Sequence, residues 1–80
     1  MKIQYTEGAA EDLARLPKRM AEQIVRKITR LEHGLHGDIK HLQDHDIAYR
    51  LRSGDFRILF DVEDDTIVVQ QIGNRKDIYD

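Results

Sequence analysis

Residues 49–60, YRLRSGDFRILF, decide the fold because their side chains sort cleanly onto the two faces of a β-hairpin. A strand alternates its side chains between faces, so Tyr49 and Leu51 point one way while Arg50 and Arg52 point the other. Downstream, Phe56, Ile58, Phe60 and Val62 share an apolar face and Arg57 falls opposite them. With Gly54 and Asp55 as the two central turn residues, Leu51 lies across from Ile58 and Tyr49 across from Phe60, so the apolar faces coincide. A slip of one residue would mix them. Glycine at the first position of a two-residue loop suits a type II′ turn, whose twist matches that of the strands. The same register sets Arg52 opposite Arg57, with Arg50 two residues along. Like charges placed opposite one another destabilise a sheet, so the arginine face points to a task other than stability: holding an anion.

Working outward, KIQY at 2–5 alternates with β-formers and reads as a short first strand. Thr6 can cap a helix whose first turn carries Glu7, favourable at the positive end of the helix dipole. Ala9, Ala10, Leu13 and Leu16 give that helix an apolar stripe. Pro17 ends it and can open a second, since its missing N–H costs nothing in a first turn. In the second helix Met20, Ile24, Ile28, Leu31 and Leu35 recur at helical spacing, flanked by Ala21 and Val25, with charged residues elsewhere. Gly34 is its expected stop. Residues 36–46 are polar and turn-like, anchored by Ile39 and Leu42. Three strands follow, about 47–53, 56–63 and 66–73, with a turn at Asp64 and Asp65; the Gln70–Gln71 pair leaves the facing of the last strand open. The expected fold is α+β: an N-terminal strand and a helical hairpin over one face of a four-stranded antiparallel sheet, in a single domain spanning 1–80.

Thirteen Lys and Arg against 15 Asp and Glu argue against a protein that binds nucleic acid by bulk charge, so any such binding must come from local clustering. The chain has no cysteine, which removes disulfides and thiolate metal sites and suits a reducing cytosol. No apolar run approaches a membrane span, and MKIQYTEG lacks the apolar stretch of a signal peptide. A soluble cytoplasmic chain is expected.

A helical hairpin broken by LP, the loop DIKHL, and then YRLRSGDFRILFDVEDDTIVVQQIGNRKDIY resemble the RelE/ParE toxin superfamily of bacterial and archaeal toxin–antitoxin systems. The resemblance spans essentially the whole chain, through the YRLR, GDFRILF and IGNRKDIY segments in order, and lies nearest the RelE branch. It implies the RelE-like fold and an endoribonuclease that cuts messenger RNA in the ribosomal A site without cofactor or metal. It implies that Arg57 binds the scissile phosphate, that Arg75 assists from beyond the last strand, and that Tyr79 acts on the attacking 2′-hydroxyl. Arg50, Arg52, Asn74 and Lys76 would contact the RNA. Ala48 stands where some members have lysine, Asn74 where many have histidine, and Asp80 adds a carboxylate beside Tyr79. The partners implied are a cognate antitoxin protein and the ribosome with its mRNA, with the toxin–antitoxin complex binding operator DNA through the antitoxin.

The residues support that chemistry on their own terms. RNA cleavage by its own 2′-hydroxyl needs a base, a proton donor for the leaving oxygen, and positive charge for the developing phosphorane. Arginine can clamp phosphate bidentately but cannot serve as a base. Tyrosine, which titrates near pH ~10 in a free peptide, can do so where cations lower that value. Plainer readings stand beside these. A strand arginine taken singly is most often solvated, or paired with an acid such as Asp61 or Glu63, and a C-terminal tyrosine most often packs. His33, His36, His41 and His45 span a helix end and a loop and do not form a recognisable ligand set. Two other function classes share the pattern: a ParE-like inhibitor of DNA gyrase, and a module that binds an antitoxin without catalysis.

Overall fold

The computed structural model describes residues 1–78, so Tyr79 and Asp80 lie outside the described residues. Strand β1 (Lys2–Tyr5) leads into helices α1 (Glu7–Ala14) and α2 (Lys18–Thr29), and α2 runs on into a 3-10 turn, Arg30–His33. Four strands follow: β2 (Ile39–His41), β3 (Tyr49–Ser53), β4 (Phe56–Glu63) and β5 (Thr66–Asn74). They form one sheet in the order β1-β5-β4-β3-β2. The hairpin register is the one its sequence dictates: Leu51 pairs with Ile58, Tyr49 with Phe60 and Arg52 with Arg57. Gly54 takes φ 59° while Asp55 keeps a negative φ, as a type II′ turn requires.

Two features of the sheet differ from the four-stranded antiparallel expectation. β1 runs parallel to β5, with Lys2 opposite Thr66 and Tyr5 opposite Val69. Parallel neighbours need a long crossover, and here the helices carry the chain across one face before the meander returns it to β1. The fifth strand, β2, lies inside the stretch read as loop; it pairs Ile39 with Leu51 and His41 with Tyr49.

Thr6 caps α1 as expected, its hydroxyl oxygen accepting the Ala9 N–H at 3.1 Å. Pro17 immediately precedes α2, and Gly34, at φ 129°, stops the turn that follows it. The buried stripe of that helix and turn is Ile24, Ile28 and Leu31, whereas Met20, Val25 and Leu35 are substantially exposed. These residues pack with Ala9 against Leu51, Ile58, Phe60, Ile67, Val69 and Ile72 on the sheet. In β5 the inward positions step from 67 and 69 to 72, because a bulge shifts the pairing between Leu59 and Phe60. That extra residue resolves the Gln70–Gln71 ambiguity. Helix α1 supports the bulge: the Thr6 hydroxyl donates to the Gln70 carbonyl at 3.3 Å, and an Asp12 carboxylate oxygen accepts the Ile72 N–H at 2.9 Å.

Candidate nucleic-acid interface

On the sheet face away from the helices, β3 contributes Arg50 and Arg52, β4 contributes Arg57 and Leu59, and β5 contributes Gln71 and Gly73, with Arg57 between Arg52 and Gly73. β2 adds Lys40 opposite Arg50. The cations stand around an apolar floor. Leu59, Leu42 and Ile78 form a second small core, with Ile47 packed against it. Gly73 makes room for this floor, since a Cβ there would lie 3.0 Å from Ile78 Cδ1. Arg57 is the most enclosed of the arginines, with 9% of its surface exposed. Its Nη1 donates to the carbonyls of Gly54 at 2.8 Å and Phe56 at 3.0 Å, so its guanidinium is aimed by the hairpin turn itself. A solvated strand arginine is thereby replaced by a fixed charge, which arginine retains under all ordinary conditions.

Arg75 reaches the same turn from the other side. Its N–H donates to the Asp55 carbonyl at 2.7 Å, while its exposed Nε lies 4.0 Å from the Asp55 carboxylate, a contact of little energetic weight. The turn after β5 is closed by Asn74: its carbonyl accepts the N–H groups of Asp77 and Ile78, and its side-chain oxygen accepts that of Lys76 at 3.1 Å. Lys76 itself is exposed. The structure therefore brings Arg57 and Arg75 together at the Gly54–Asp55 turn, with Arg50 and Arg52 on the adjoining strand and Asn74 serving the turn. Tyr79 falls outside the described residues.

Asp38 is the residue that the sequence reading passed over. One of its oxygens is 3.0 Å from Arg52 Nε and the other 3.4 Å from Arg50 Nη2. Asp61 accepts the Ala48 N–H at 2.8 Å and a Gln70 side-chain N–H at 3.3 Å. Its place opposite Val68, beyond Leu59, sets it apart from the arginines near the turn. Asp38 reaches them because Ile39 pairs with Leu51, which sets the preceding residue beside Arg52; its own carbonyl accepts the Arg52 N–H at 2.9 Å. Only the unrecognised strand β2 would have revealed this.

The histidines serve local structure. His36 Nε2 lies 3.2 Å from the His33 carbonyl oxygen, His45 Nδ1 accepts the Ile47 N–H at 3.1 Å, and the His41 ring meets Tyr49 edge-on. Among the described residues no three His, Cys, Asp or Glu side chains form a group able to hold a metal ion. Nor is any described helix long and apolar enough to cross a membrane.

Solved structures with this architecture define its class. A chain of the RelB–RelE antitoxin–toxin complex from Methanococcus jannaschii superposes with a TM-score of 0.78 at 28% identity, covering 95% of this chain and 94% of that one. The RelBE2 toxin–antitoxin complex of Mycobacterium tuberculosis gives 0.80 at 25% identity, covering 92% and 96%. The isolated Escherichia coli RelE toxin gives 0.76 at 18% identity, covering 91% and 82%, a likeness of fold. The architecture is thus that of the small toxins of type II toxin–antitoxin systems. Residues 3–79 match the family model of the ParE toxin of type II toxin–antitoxin system, parDE. Toxin RelE3 of Methanocaldococcus jannaschii is 31% identical over 85 residues, covering 100% of this chain and 97% of that protein. The chain belongs to the RelE/ParE toxin superfamily.

Proposed function

We propose that this toxin is a ribosome-dependent endoribonuclease that cleaves mRNA in the A site. The observation that carries the reading is the enclosed Arg57, its guanidinium held by two hairpin carbonyls, on a face shared with Arg50 and Arg52 and beside Arg75. In the reaction, the 2′-hydroxyl of one nucleotide loses its proton to a base, Tyr79 in this proposal, and its oxygen bonds to the adjacent phosphorus. The bond from phosphorus to the 5′-oxygen breaks and that oxygen takes up a proton, leaving a 2′,3′-cyclic phosphate and a free 5′-hydroxyl. Arg57 and Arg75 hold the phosphate and stabilise the charge that develops on it, with Arg50 assisting. Arg52, Asn74 and Lys76 contact the neighbouring RNA. The face carries charge but few groups that would orient RNA by themselves, so positioning by the ribosome supplies much of the rate. The RelB–RelE and RelBE2 relatives are toxin–antitoxin complexes, which supports a cognate antitoxin partner for this chain.

Single-turnover cleavage on programmed ribosomes tests this. Arg57→Ala should slow cleavage by about 10²–10³-fold, the effect of losing one donor to a developing oxyanion. Tyr79→Phe removes the proton-accepting oxygen and should also abolish most of the rate. Parental rates in both variants, or intact A-site mRNA with the parent chain, would sink the proposal. The ParE family match favours a second reading, inhibition of DNA gyrase; supercoiling blocked by the purified chain, with mRNA intact, would establish it instead.

A further inference from the structure

Resting on the ribonuclease reading above, we infer that Asp38 is a built-in competitor of the RNA backbone: its carboxylate occupies Arg50 and Arg52 in the free chain and must leave when a phosphate arrives. The carboxylate spans both guanidinium groups, 3.0 Å from Arg52 Nε and 3.4 Å from Arg50 Nη2. It is tethered there by its backbone, because the Asp38 carbonyl accepts the Arg52 N–H at 2.9 Å. The side chain, by contrast, is open to exchange. Asp38 and Arg52 are 51% and 55% exposed, so the pairing is well hydrated and weak. A phosphodiester carries the same charge and offers two oxygens to an arginine fork, making it a closer match to the site than a single carboxylate shared between two cations.

The displaced carboxylate has somewhere to go. A cleft of about 220 Å³ beside Asp38 is lined by Lys27 and Arg30 together with Gly37, Leu51 and Arg52. A side-chain rotation into it carries the carboxylate toward Lys27 and Arg30 while the backbone stays paired. In the free chain the same carboxylate lies against both Arg50 and Arg52 and screens those two charges from one another, which eases the crowding of cations on this strand. One residue thus makes the arginine face tolerable to the fold and tempers its grip on RNA.

The test is a double-mutant cycle on the full chain, reading its affinity for a short fluorescein-labelled single-stranded RNA at low salt. Asp38→Asn should tighten binding roughly 3- to 10-fold, as expected for removing the well-exposed pair with Arg52 and the more enclosed contact with Arg50. It should also steepen the salt dependence, because Arg52, released from the carboxylate, engages phosphate. In an Arg52→Gln background the same change should give a much smaller gain. Thermal unfolding of each variant checks that the fold is retained. Unchanged or weaker binding by Asp38→Asn, a gain that survives in full without Arg52, or no RNA binding by either protein would each overturn the inference. The ribonuclease reading is judged separately, by A-site cleavage with the parent and Arg57→Ala, so the two can fail independently.

Discussion

Arg57 donates to two carbonyls of its own hairpin, so the turn that sets the strand register also sets the direction of the charge. A lysine at this position keeps the charge and loses the planar fork. Arg57→Lys should therefore unfold near the parental temperature yet cleave about tenfold more slowly or worse on programmed ribosomes, because bidentate contact is lost. Parental cleavage would mean that a point charge suffices. The alternation of YRLR and FRIL made the arginine face legible, including the Arg52–Arg57 opposition. What it could not convey was burial: Arg57 lies enclosed between β3 and β5, opposite Gly73, and no local pattern encodes that neighbour.

At the level of elements, the bulge in β5 depends on α1. Asp12 supplies the acceptor for the Ile72 N–H, so Asp12→Ala leaves a partly buried donor unsatisfied and should lower stability by about 1–3 kcal/mol in urea unfolding. Asp12→Asn retains an acceptor oxygen and should lose less. Burial also pushes the Tyr5 phenol above its ordinary value. That contribution is complete below the unfolded pKa and is lost as pH rises through the folded one. The helices, their break at Pro17 and the hairpin could be read from periodicity and turn chemistry because each is specified within a few neighbouring residues. β2 could not, since its three residues lie in a polar run and become a strand only by pairing with β3. The direction of β1 was equally hidden, because alternation says where side chains point and nothing of which strand lies alongside. Asp38 went unseen for the same reason as β2.

Taken whole, the molecule is one sheet with a large core under the helices and a small one beneath the arginines, and β4 belongs to both through Ile58 and Phe60 on one side and Leu59 on the other. Hydrogen exchange should accordingly be slowest at residues 56–62, reporting global unfolding, and much faster at 42–46, which form no strand. Equal rates would mean that the sheet lacks this common centre. Gly73 joins the two ends of this arrangement: its φ lies outside the left-handed region, so other residues can adopt its conformation, and what it provides is room for Ile78. For genetics the consequence is concrete. Among colonies that survive induction of the toxin, Gly73→Val should recur as a class of its own, pushing Ile78 from its place against the residue paired with Arg57 while every ionised group remains and the protein still captures its antitoxin. A population can thus disarm this toxin by adding bulk where the fold leaves little room even for a methyl group.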